Sequence, residues 1–235
     1  MNSLLVRVGA DSSAGGGFWN GPVDPVSNRF VYVSIPETKA VHKGMEKPYI
    51  ALEPILSKFG VSLPHHLREQ HMHLDPDFSF LTYGDQGQRA SQLSALDQGD
   101  SLVFYAGLAI PGTRSHLVYA IIGIFVIDEV IRAGEVSASD RAINAHTRRI
   151  LAPGAQDLIV RARPRVSGRL ERCVPIGERR DRAYRVQRDL LTAWGGLSVN
   201  DGYLQRSARF PKFLNPGLFQ NWLESKRPTL QQINN

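Results

Sequence analysis

The run Leu117–Ile131 constrains the fold of this chain more than any other segment. Its apolar part, Leu117–Val126, is too short to cross a bilayer, while the whole run is too long for one ordinary strand. A long strand with a bend or bulge near Gly123 is therefore expected. Ahead of it, the turn Gly99-Asp100 leads into the apolar segment Ser101–Gly107, which reads as a second buried strand. Residues 3–8 and 29–35 also read as strands, the latter ending at Pro36, and residues 157–163 as another. Helices are expected over 47–59, stopped by Gly60, over 86–96, over 137–150 and over 182–193, stopped by Gly195-Gly196. Ser137 or Ser139 would cap the third of these, with Asp140 in its first turn.

The predicted class is α/β in the mixed α+β sense, with a central mixed or barrel-like sheet and flanking helices. With 235 residues, 42% hydrophobic and 21% charged, the chain can bury a full core. No repeat or low-complexity linker divides it, so 1–235 reads as one domain, with a polar tail, 228–235, expected to fray. The start of the chain shows no basic segment followed by an apolar one and a cleavage site, so a cytoplasmic protein is expected. The single cysteine, Cys173, excludes an internal disulfide and a thiolate-rich zinc site.

The net charge of +6 is unevenly placed. Residues 141–185 hold 12 arginines, no lysine and four acids, a local charge of +8 against −2 for the rest. Guanidinium forks suit phosphate oxygens, so this section is expected to face nucleic acid. Arg148, Arg149, Arg161, Arg163, Arg165 and Arg169 are the candidate contacts, with 161, 163 and 165 sharing one face of an extended segment. The alternative is a solvated surface network of arginines and acids.

Two loops carry the chemistry. Gly9-Ala10-Asp11-Ser12-Ser13-Ala14-Gly15-Gly16-Gly17 leaves the first strand with a carboxylate, two hydroxyls and bare backbone N–H groups, a place for an anionic or sugar-like ligand. The structural alternative is a tight turn bonded to its own backbone. Neither the Walker loop nor the dinucleotide fingerprint fits its spacing. Downstream, His71, His73, Asp75 and Asp77 alternate, and in an extended chain they would face one way, around a substrate or a divalent metal. An Asp75-Pro76-Asp77 turn with surface histidines is the simpler alternative. The reading taken is a substrate site with no metal and no cofactor. Phe18, Trp19 and Tyr83 fall in loops and are candidates for stacking on a base, with Ser12, Ser13 and Gly16 beside them as substrate contacts.

Asp11-Ser12-Ser13-Ala14-Gly15-Gly16, Val33-Ser34-Ile35-Pro36, His73-Leu74-Asp75-Pro76-Asp77, Tyr83-Gly84 and Gly99-Asp100 to Phe104-Tyr105-Ala106-Gly107 together resemble the nucleotide modification associated domain 3 family over about the first 130 residues. The His-Leu-Asp-Pro-Asp motif is the most specific part. That family occurs with phage and bacterial genes that modify DNA bases or respond to modified bases, so the resemblance implies a DNA-modification setting. Gly99–Ile131 also resembles, more locally, the barrels of the PUA and EVE group, which read modified bases.

The expectation that follows is a DNA glycosylase that removes a bulky modified base, such as glucosylated hydroxymethylcytosine, from double-stranded phage DNA as an antiviral defence. Asp11 would stabilise the positive charge that develops on the deoxyribose, Asp75 or Asp77 would position water or contact the sugar substituent, and His73 would donate to the departing base. The alternatives are a non-catalytic reader of modified bases, a base-modifying transferase, and a metal-dependent nuclease built on the His-Asp cluster.

Overall fold

The computed structural model describes residues 1–113, 117–205 and 209–235. Its strands are β1 (Ser3–Arg7), β2 (Ile35–Pro36), β3 (Met72–His73), β4 (Thr82–Asp85), β5 (Ser101–Leu108), β6 (Val118–Arg132), β7 (Leu158–Ala162), β8 (Gly168–Pro175), β9 (Gly177–Arg180), β10 (Ala183–Val186) and β11 (Leu230–Gln231). The α-helices are short: α1 (Glu53–Ser57), α2 (Gln88–Leu93), α3 (Ala145–Arg148), α4 (Arg188–Ala193) and α5 (Pro216–Ser225).

The long apolar run becomes β6, and β6 organises the sheet. One of its edges pairs antiparallel with β5; the other pairs with β8 near its start and with β7 near its end. β1 joins β5 in parallel, β4 joins β7 and β11 joins β8, which makes a seven-stranded mixed sheet. The chain is a single α/β domain, and its described strands form no closed barrel, so the likeness to a PUA-type barrel does not extend to architecture. No described helix is long and apolar enough to cross a membrane.

The expected irregularity at Gly123 is present, with pairing slips between Ile121 and Gly123 on the β8 edge and between Phe104 and Tyr105 opposite. A slip turns the alternation over: Ala120 and Ile122 face one core, and so do Phe125 and Ile127 beyond it. Gly123 lies against the Phe78 ring, where an added Cβ would stand 2.4 Å from a ring carbon. Each face of the sheet covers a separate core. Leu4, Val6, Phe104 and Phe78 fill one, while Leu5, Val103, Tyr105 and Trp194 fill the other.

Four expectations need correction. Residues 29–35 are buried through 30–34 but do not form a full strand, because their backbone groups go to several partners. Val31 N–H donates to Pro22, Val33 C=O accepts from Ala10, and the Asn235 side-chain amide pairs with both backbone groups of Tyr32. For the same reason the tail does not fray: β11 extends β8, and Asn234 accepts from the Phe78 N–H while donating to Asp77. The helix expected over 137–150 is a 3-10 turn, 138–143, followed by α3. It breaks at Asn144, which is extended at φ −150° and caps α3 in a reciprocal pair with Thr147. Ser137 does precede the turn, but its hydroxyl donates to the Asp140 carboxylate instead of capping the backbone. Finally, 182–193 divides into β10, paired with β9, and α4; Gly195 and Gly196, both with positive φ, follow the helix as expected.

Candidate active site

β3 pairs with β2 so that Ile35 stands opposite His73, and this register brings Glu37 to the histidine ring. The His73 Nδ1 lies 2.7 Å from the Glu37 carboxylate, which is itself gripped by the Arg149 guanidinium at 2.8–2.9 Å. Two residues beyond His73, Asp75 accepts from the Gly84 backbone N–H at 3.0 and 3.1 Å and from the Asn144 side-chain amide at 2.9 Å. Asn144 thus joins two tasks, since the same side chain caps α3. The helix it starts carries His146, whose Nδ1 stands 2.6 Å from Asp157.

The outcome is a buried triangle. One ligating atom from each of His73, Asp75 and His146 lies within 4.8 Å of the other two. His146 Nε2 is 3.8 Å from Asp75 Oδ2, and the imidazoles meet edge to face at 4.9 Å. Gly84 makes the approach possible, because a Cβ there would stand 2.5 Å from His146 Cδ2.

The charges follow from burial and partners. Burial pushes the Glu37 carboxyl up, but hydrogen bonds from His73 and Arg149 outweigh it and hold the group at about 2. Asp157 is held below the usual carboxylate range by the hydrogen bond from His146. Both are ionised near neutrality, so each imidazole donates from Nδ1 to its carboxylate and turns Nε2 away from it. Burial lowers His73 to about 4 against the pull of Glu37, which leaves its ring neutral. Asp75 goes the other way, with burial raising it well above the usual range despite Asn144 and Gly84.

His73, Asp75 and His146 line a cavity of about 330 Å³, within the size of small-molecule sites. Tyr83 and Gly15 share its wall, and Arg7, Lys39 and Arg89 give it a cationic, more open side.

The other predicted residues lie apart from the triangle. Asp11 Oδ1 accepts from the Ser13 N–H and hydroxyl, and its Oδ2 stands 3.4 Å from Arg7. Ser13 caps the 3-10 turn 14–16, Ser12 donates to Asn20, and Gly16 closes over Asp11, where an added Cβ would stand 2.0 Å from its carboxylate. Phe18 is 66% exposed, whereas Trp19 packs against the core. Tyr83 is buried against Phe104 and donates to Asp85. Asp77, 1% exposed, holds Arg148 at 3.0 Å and does not line the cavity. His71 is exposed.

The arginines divide in the same manner. Arg148 and Arg149 are buried clamps on Asp77 and Glu37, and Arg169 lies over Phe30 and donates to the tail. Only Arg161, Arg163 and Arg165 of the six reach the surface. Arg161 pairs with Glu129 and Arg163 with Asp128, while Arg165 has φ +72°, so the three do not form one extended face. Sequence reasoning missed Glu37, His146 and Asp157, since no spacing ties residues 36, 73 and 11 positions apart.

Fold and site together define a mixed-sheet α/β protein with a buried His-Asp-His centre at the wall of a polar cavity. The family model for nucleotide modification associated domain 3 matches residues 2–218, and the chain belongs to that family. The match runs past the first 130 residues and takes in His146 and Asp157. No curated protein and no solved structure matches the chain.

Proposed function

We propose that this protein is an enzyme of modified DNA that hydrolyses the N-glycosidic bond of a bulky modified base, with the cavity at His73, Asp75 and His146 as its reaction centre. The observation that carries this reading is the convergence of three buried polar groups, each oriented from behind by a partner: Glu37 for His73, Asp157 for His146, Asn144 and Gly84 for Asp75. Burying a carboxylate between two imidazoles has a desolvation cost that a passive binding pocket has no need of, and such perturbed groups in a cleft mark reaction centres. Membership of the family supplies the modified-nucleotide setting.

In the reaction the bond between C1′ and the base nitrogen breaks, the base takes the electron pair and a proton, and the water oxygen joins C1′. In this reading the ring nitrogens of His73 and His146 that face away from Glu37 and Asp157, together with the Asp75 carboxyl, hold and polarise that water. Arg7, Lys39 and Arg89 on the open side suit the flanking phosphates, and the base reaches the cavity by leaving the stack.

The test is mass spectrometry of bases released from phage DNA carrying glucosylated hydroxymethylcytosine, with unmodified DNA as control. Release of the modified base together with abasic sites is the expected result. Intact DNA bound more tightly when modified would replace the enzyme with a reader.

A further inference from the structure

We propose that His73 Nε2, the Asp75 carboxylate and His146 Nε2 bind one divalent first-row transition-metal ion of the zinc type. The inference deepens the reading above by naming what holds the attacking water, but it rests on the triangle and not on which bond is cleaved. The first observation is spacing. His146 Nε2 and Asp75 Oδ2, 3.8 Å apart, are too distant for a hydrogen bond, whereas two ligands each about 2.1 Å from a tetrahedral ion stand roughly 3.4 Å apart. All three donors fall within 4.8 Å of one another.

The second observation is the shell behind them. Each imidazole hands its Nδ1–H to a carboxylate, Glu37 or Asp157, the arrangement that fixes a histidine's tautomer and strengthens Nε2 as a ligand. Asp75 is likewise held from behind by Asn144 and Gly84. The third is charge. The side chains of Glu37, Asp75 and Asp157 are buried around the triangle, and Arg149 grips one of them, Glu37, so three acids crowd a site that a divalent ion suits. Two imidazoles favour a transition metal over magnesium or calcium, which take oxygen ligands. Three protein ligands leave a position on the cavity side for water, the pattern of a catalytic and not a structural ion.

The experiment is calorimetric titration of the chelator-treated, dialysed full chain with Zn²⁺ and Mn²⁺, repeated with Co²⁺ while following its visible absorption. One ion per chain is expected, with Co²⁺ developing visible bands. His146→Ala and His73→Ala should each lower affinity by at least about 100-fold, and Asp157→Asn by about 10–100-fold. His71→Ala, at an exposed position, should bind as the wild type does. Circular dichroism distinguishes a lost ligand from a lost fold, and the two histidine variants, on different elements, test the site independently. No ion bound at micromolar concentration, or binding that survives both histidine substitutions, overturns the proposal. Base release by protein that takes up no ion in the titration overturns the ion and leaves the glycosidic reading; ion binding without base release does the reverse.

Discussion

Two acid-bearing loops carry the catalytic candidates of this chain, and they solve the same problem differently. Asp11 accepts hydrogen bonds from Ser13, two residues on, and pairs with Arg7, four residues back. Asp75 takes its partners from β4, nine residues away, and from the cap of α3, 69 residues away. A carboxylate that bonds to its own turn shapes that turn. One held by distant elements is aimed by them, here toward two histidines that are themselves held from behind. The comparison teaches that the partners which aim a loop carboxyl into a shared cluster come from elsewhere in the fold.

The contrast is sharpest in activity. Asp75→Asn should reduce base release by about 100- to 10,000-fold, the range for a group at the reacting atoms, whereas Asp11→Asn should reduce it less than about tenfold, because the effect must pass through the loop and Arg7. Single-turnover rates on modified DNA decide this, and equal losses would break the comparison. Next in size is Arg148→Met, which leaves Asp77 buried without its counter-charge and should cost about 3–5 kcal/mol of stability in denaturant titration. A cost near zero would mean that α3 is held without this clamp.

Gly84→Ala brings a methyl group within 2.5 Å of His146 and 2.9 Å of Asn144. It should lower stability by about 1–3 kcal/mol, with a loss of activity larger than the lost stability explains; intact activity would show that the triangle tolerates displacement. The smallest effect is at Cys173, where burial pushes the thiol up to about 12. Thiol reagents at neutral pH should leave the native protein unlabelled and its activity unchanged, and label it after denaturation.

Much of the sheet was legible because its signals are local. An apolar run with one glycine announced β6 and its slip, and the segment before it announced β5. The 86–96 helix appears as the shorter α2, with Ala90 and Leu93 buried on its inner face. Within the site, the alternation of His73 and Asp75 was readable, but not that His71 and Asp77 part from them, one to solvent and one to Arg148. The arginine-rich section misled for a related reason. Charge counts along a chain do not distinguish a guanidinium at the surface from one closing on a buried carboxylate, as Arg148 and Arg149 do.

By itself, then, the sequence determined the mixed sheet around one long broken strand, the single domain and the kinship with the modified-nucleotide family, since hydrophobic periodicity, glycine placement and short motifs are properties of neighbours along the chain. Tertiary structure alone decided which acid joined the buried cluster with His73 and His146. It brought residues 37, 144, 146 and 157 to a pair at 73 and 75, and it seated the tail asparagines against Tyr32 and Phe78. Buried hydrogen bonds join whatever donors and acceptors folding brings together, and sequence distance does not enter their energy.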